Sequence, residues 1–316
     1  MEWEQQAFLK DTHHKKNEEY FIEKYLKPLS KKNESFPIPN GDDSSMINFN
    51  SLISVDSFVE GQHFPKDLDP FFIGYRSIAV AASDILAMGA KPEGCLLSIT
   101  INKPSDEWFE KFSNGINEFL EQHKMSLLGG DITKGNLNIG VTVVGKTNNK
   151  VLKRDGAKVN ENIFISGTLG RGNLGRLEYR ELDTKLNHFL MPKIPLHDID
   201  KIREVASSCI DVSDGFLIDL KRILISSKVG ADIFLNENFC TNGKEDLICG
   251  DDYVLCFTSN LDEKDLTKML PDAHYVGKVT KEQKLDVFDQ KKNRLNFNKL
   301  GWDSFIYFLK KSSIVF

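Results

Sequence analysis

Cysteine is scarce and has no pairing pattern: the five cysteines, Cys95, Cys209, Cys240, Cys249 and Cys256, contain no C-x-x-C pair. An odd set without that spacing argues against a disulfide framework and a structural zinc site, and reads as small core residues. No apolar run approaches the roughly 20 residues needed to span a bilayer, so a membrane protein is not expected. The first residues, MEWEQQAFLKDTHHKK, lack the apolar stretch and small-residue cleavage site of a secretory signal, so a cytoplasmic location is expected. Basic charge is also in short supply. Lys and Arg total 41 against 46 Asp and Glu, a net charge of −5, which gives no general attraction to nucleic acid or an anionic membrane surface. An anionic ligand would have to be held by something other than bulk charge.

What is present is enough chain for two domains: 316 residues, of which 40% are hydrophobic and 28% charged, against a prior of roughly 150 residues per domain. EEYFIEKYLKPL, from Glu18, predicts a short helix ending at Pro28, and LISVDSF (52–58) a strand. FFIGYRSIAVAASDILAMGAKP predicts a largely buried helix stopped at Gly89 and Pro92. CLLSITIN is a strand, and PSDEWFEKFSNGINEFLEQH an amphipathic helix with Ser105 as N-cap. MSLLGGD and LNIGVTVVGK add two strands. The polar TNNK (147–150) marks the boundary expected between an N-terminal domain, 1–148, and a C-terminal domain, 149–316. Beyond it come the strand NIFIS, a Gly-rich loop, and a long helical region from about Ile199 to Ser227 broken at DVSDG. The strands ADIFL, YVLCFT, AHYVGKV and KLDVF, with a helix near DEKDLTKML, complete the pattern. Strands and helices intermingle without a regular βαβ rhythm, which predicts an α/β fold with α+β-like mixed sheets rather than a doubly wound one.

Two stretches imitate nucleotide motifs. GVTVVGKT (140–147) fits G-x-x-x-x-G-K-[ST], but a P-loop needs a flexible turn whose N–H groups converge on one phosphate, with a helix after the Lys. Its interior, Val141, Thr142, Val143 and Val144, is β-branched and stiff, so a strand is expected. GRGNLG (170–175) fits G-x-G-x-x-G after a strand, yet no second strand carrying an acid follows about 20 residues on. A tight strand-to-helix turn is expected there.

The chemistry is better sought in a scattered series of Asp-bearing signatures: NGDDSS (Asp42, Asp43), SVDS (Asp56), ASDILAMGA (Asp84), GGD (Asp131) and IDVSDG (Asp211, Asp214). Carboxylates at strand ends and turns can converge on one cleft, and hard oxygen ligands suit Mg²⁺ shared with phosphates. Any one of them could equally be a turn or cap residue. Asp84 is the hardest to dismiss, because an unpaired carboxylate inside a small, apolar helix is costly.

In order and spacing these signatures resemble the thiamine-monophosphate kinase family, of the superfamily that includes aminoimidazole ribonucleotide synthetase. The resemblance runs through GDDSSMI, SVDSFVEGQHF, GYRSIAVAASDILAMGAKP, LLGGDITKG, KRDGAKVNENIFISGTLG, IDVSDGFLIDL, CGDDYVLCFT and GWDSF. It implies transfer of phosphate from ATP to thiamine monophosphate, giving thiamine diphosphate, with several Mg²⁺ ions. The family's metal-binding positions fall on Asp43, Asp56, Asp84, Asp131, Asp211 and Asp214, with Ser54 and Val55 beside the metals. ATP contacts fall on Gly130, Arg154 and Ser213, and substrate contacts on His63, Asp251 and Trp302; Asp131, Asp211 and Arg154 are the expected catalytic residues. The implied architecture is two α/β domains, the N-terminal sheet pairing with that of a second subunit in a homodimer.

The chain departs from the family pattern at several positions. Where GGEDYEL is usual, CGDDYVL puts Asp251 in place of a Glu, one methylene shorter, and Val254 in place of another. Ala81 replaces an Asn, and Ser54-Val55-Asp56 replaces T-T-D. The core carboxylates remain, so activity is expected, with a shifted Mg²⁺ requirement. The alternatives are a non-catalytic nucleotide or thiamine-phosphate binder, for which CGDDYVL is the evidence, and another ATP-using enzyme of the superfamily.

Overall fold

The computed structural model describes residues 18–48, 50–148, 150–181 and 186–303. His13, His14, Asn149 of the boundary stretch and the end of GWDSF lie outside these. Two mixed sheets form on either side of TNNK. The first contains β1 (Ser45–Ile47), β2 (Ser51–Val59), β3 (Lys91–Thr100), β4 (Ser126–Thr133) and β5 (Asn138–Lys146), in the order β1-β2-β5-β3-β4. All its pairings are antiparallel except β3 with β4. The second contains β6 (Asn162–Ile165), β7 (Ser208–Asp211), β8 (Gly230–Phe234), β9 (Leu255–Ser259), β10 (His274–Thr280), β11 (Leu285–Phe288) and β12 (Arg294–Leu295), in the order β12-β11-β8-β10-β6-β9-β7. The α/β class with mixed sheets is as the sequence predicts.

The P-loop look-alike is most of β5 and the residue after it, paired with β2 on one side and β3 on the other, with Val141 and Val143 fully buried. Its Lys146 forms an exposed ion pair with Glu93, Nζ to Oε2 3.3 Å. A strand hydrogen-bonded on both edges has its N–H groups committed to its neighbours, so it cannot cradle a phosphate.

After a short helix, α1 (Glu18–Phe21), the organising element is α2 (Pro70–Ala87). Asp69 caps it, accepting from Phe71 N at 2.9 Å, and Gly89 ends it at φ +76°. It packs on β2, β3 and β5 and also touches β7 of the second sheet, so its apolar surface is buried nearly all round. α3 (Asp106–His123), capped by Ser105, crosses α2 where Gly74 meets Gly115. A Cβ on Gly115 would lie 1.8 Å from the Phe71 carbonyl oxygen, and one on Gly74 2.2 Å from that of Phe112, so the crossing requires both glycines. The core runs without a break from α2 into Phe164, Phe189 and Phe257 of the second half.

The second half adds α4 (Arg171–Leu177), α5 (Ile199–Val205), α6 (Phe216–Ser227) and α7 (Glu263–Met269). The expected helical region from about Ile199 to Ser227, broken only at DVSDG, is corrected here: α5 and α6 are separated by β7, an edge strand whose four residues are all buried. A short buried apolar run has no period to distinguish it from a helix segment. GRGNLG is the turn from β6 into α4, as expected. Its amides are already used, because Gly170 N and Gly172 N donate to the two oxygens of Asp252 at 2.8 and 3.0 Å. Among the described residues, no helix is long and apolar enough to cross a membrane.

Candidate active site

Three of the expected carboxylates meet where α2 passes between the sheets: Asp43 from the loop before β1, Asp84 from the last turns of α2 and Asp211 from the end of β7. One oxygen from each lies within 4.8 Å of the others. The donors around them are few and specific. Ser54 Oγ donates to Asp84 Oδ2 at 2.5 Å, Ser83 Oγ to Asp211 Oδ2 at 2.6 Å, and Arg154 Nη2 to Asp43 Oδ1 at 2.9 Å. Burial, then mutual repulsion, pushes Asp84 and Asp211 well above the usual carboxylate range. Asp56 is pushed up to about 6 by burial and by Asp214. Carboxylates this close, and short of donors, suit a hard divalent cation.

A second layer surrounds Asp214. Arg222 Nη2 donates to Asp214 Oδ2 at 2.7 Å and Nη1 to Asp219 Oδ1. The other Asp219 oxygen accepts from the backbone N–H groups of Ser213, Asp214 and Gly215, each at 3.1 Å, and so fixes the turn leading into α6. Trp302 N donates to the Asp214 carbonyl at 2.8 Å, bringing the indole to within 5.9 Å of the His63 ring, centroid to centroid. His63 Nδ1 accepts from Val59 N at 3.0 Å; burial and then Arg76 push it below its ordinary value. Asp251 bonds to Arg76 and Tyr253. The three expected substrate contacts therefore occupy one neighbourhood.

Gly130, Asp131 and Val55 are not part of the cluster of three carboxylates. Gly130 and Asp131 lie on β4, an exposed edge strand, where Asp131 is opposite Ser98 and Gly130 opposite Leu97. Val55 is 68% exposed, in register with Thr142. Four residues at the site escaped the sequence reading: Arg76, Ser83, Asp219 and Arg222. Arg76 carried the same signal as Asp84, a charge inside an apolar helix, and could have been found by it.

Residues 41–147 match the family described as AIR synthase related protein, N-terminal domain. The chain is 35% identical over 322 residues to the thiamine-monophosphate kinase of Buchnera aphidicola subsp. Schizaphis graminum, covering 92% of this chain and 99% of that one. It is 32% identical to the thiamine-monophosphate kinase of Escherichia coli K12 over 243 residues, covering 69% and 75%. Among solved structures, AaThiL complexed with AMPPCP and TMP superposes with a TM-score of 0.78 at 26% identity, covering 92% of this chain and 97% of that one.

Proposed function

The chain belongs to the thiamine-monophosphate kinase family, and from that premise we propose that it transfers the γ-phosphoryl group of ATP to thiamine monophosphate, in line and directly, with several Mg²⁺ ions at the carboxylate cluster. The observation that carries this reading is the meeting of Asp43, Asp84 and Asp211, one oxygen from each within 4.8 Å of the others. Asp56, Asp214 and Asp131 complete the proposed metal set, with Ser54 and Val55 beside it. Mg²⁺ held there would neutralise charge on phosphate oxygens as two anions approach.

The chain's own groups do the rest. The acceptor is a phosphate monoester with a second pKa of about 6, judged from phosphoserine, so at pH 7 it is mostly a dianion and needs no general base. The obstacle is repulsion between phosphates, and positioning answers it. Arg154 ties Asp43 from the second half and supplies a fixed positive charge beside the cluster; with Asp131 and Asp211 it is proposed as catalytic. Gly130 and Ser213 are proposed to contact ATP, and His63, Asp251 and Trp302 the thiamine moiety. The proposed division into domains 1–148 and 149–316 follows the two sheets, with the cleft between them.

A homodimer through the first sheet is supported by its uncovered apolar side chains: Leu127, Leu128 and Ile132 on β4 are 50 to 59% exposed, with Leu96 on the neighbouring β3 and Val55 on β2 also exposed. A cytoplasmic location fits a kinase of this kind. The test is incubation of the pure protein with ATP, Mg²⁺ and thiamine monophosphate. Formation of thiamine diphosphate is expected, and its absence at every Mg²⁺ concentration would overturn the reading. Calorimetric binding of thiamine monophosphate and ATP without ADP release would point instead to a non-catalytic binder.

A further inference from the structure

Arg76 is the one cation placed wholly inside α2, with 3% of its surface exposed. Its guanidinium crosses to the second half, where Nη1 donates to the Phe189 carbonyl at 2.7 Å and Nη2 to Asp251 Oδ1, and it lies 4.2 Å above the Phe189 ring. Its Nε is buried without an acceptor. Tyr253 donates its hydroxyl to the same Asp251 oxygen at 2.8 Å. Among the described residues both side-chain donors to this carboxylate thus converge on Oδ1, and Oδ2 receives none. The backbone that presents this carboxylate is itself unusual: Asp251 and Tyr253 both adopt left-handed conformations, φ +71° and +50°. Such strain persists only where the surroundings enforce it, and it gathers at ligand sites.

We propose that Arg76 is a positioning residue for the thiamine end of the site: with Tyr253 it pins Oδ1 of Asp251, leaving Oδ2 to accept a hydrogen bond from the amino group of the substrate's pyrimidine ring. This rests on the thiamine-monophosphate kinase reading. The geometry also accounts for the short side chain. A carboxylate held close to its own backbone by a fork of two donors is oriented by them, where a longer one would swing on an extra bond. The consequence is selectivity between a ring bearing an amino donor and one bearing a carbonyl oxygen, because a lone acceptor left unpaired in a covered site discriminates strongly.

The test compares thiamine monophosphate with oxythiamine monophosphate, in which oxygen replaces that amino group, as substrates for the full chain and for Arg76→Lys and Tyr253→Phe. The wild type is expected to prefer the amino substrate by about ten-fold or more in kcat/KM. Each variant should shrink that preference several-fold, chiefly through KM for thiamine monophosphate, with KM for ATP nearly unchanged. Tyr253→Phe keeps the ring and serves if Arg76→Lys fails to fold. An unchanged preference in a folded variant, or equal changes in both KM values, would overturn the proposal. A wild type inactive on thiamine monophosphate would instead defeat the kinase reading on which it stands.

Discussion

The two ends of the site treat carboxylates in opposite ways. At one end burial and then crowding by like charge raise Asp84 and Asp211 well above the usual carboxylate range. At the other, Asp251 faces a buried guanidinium and a phenol, and Arg76 holds it below the usual carboxylate range despite burial. The first arrangement gathers negative charge with few donors, while the second meets a cation supplied by the chain itself. Burial alone therefore says little about a carboxylate's role; the balance of donors and neighbouring charges around it says more.

The comparison can be broken by neutral substitutions. Asp84→Asn should lower kcat about a hundred-fold or more, the scale of losing one group aimed at developing charge, and should remove most of the rise in Tm that Mg²⁺ gives the wild type. A variant whose turnover and Mg²⁺-dependent Tm shift both match the wild type would refute its place in a metal site. Asp251→Asn should act differently, leaving Arg76 buried beside a neutral partner and lowering stability by about 3 kcal/mol in urea unfolding. A loss under 1 kcal/mol would mean that the Arg76 pair is not a closed one.

The same end offers a pH test. His188 donates Nε2–H to the Asp252 carbonyl at 2.7 Å, and burial lowers it from 6.5 to about 4. The native state thus holds it neutral while the unfolded chain takes up a proton below pH 6.5. Its contribution is fully present above that pH, declines as the pH falls towards 4 and is constant below, about 3 kcal/mol in all. His188→Gln should flatten that part of the stability curve, and two parallel curves between pH 6.5 and 4 would rule it out. The smallest effect is expected at Lys146, the last residue of β5. Lys146→Ala should change turnover by less than about two-fold and stability by no more than about 1 kcal/mol, as for an exposed ion pair; a large loss would reopen the P-loop question.

Legibility in the sequence followed the same physics. β5 was readable because four β-branched residues outweigh a motif match, and α2 because Gly89 and Pro92 stop a run rich in small and apolar residues. β7 was hidden because Ser208–Asp211 is short and wholly buried. Asp84 was readable by cost alone, whereas Asp43 and Asp211 needed the family resemblance, since an Asp at a turn has too many ordinary uses. Arg222 and Asp219 were missed because their partners lie within one turn of helix and a preceding loop, where a sequence suggests only surface pairing.

One face of α2 carries Arg76 and, two turns on, Ser83; the first grips Asp251 and the second Asp211, both from the second half. The rise between them is about 10 Å at 1.5 Å per residue. An α-helix neither stretches nor compresses readily, so these two attachments act as a gauge. The second half cannot approach the carboxylate cluster without carrying Asp251 along, so the spacing between the proposed metal site and the proposed thiamine contact is set by helical pitch rather than by any loop.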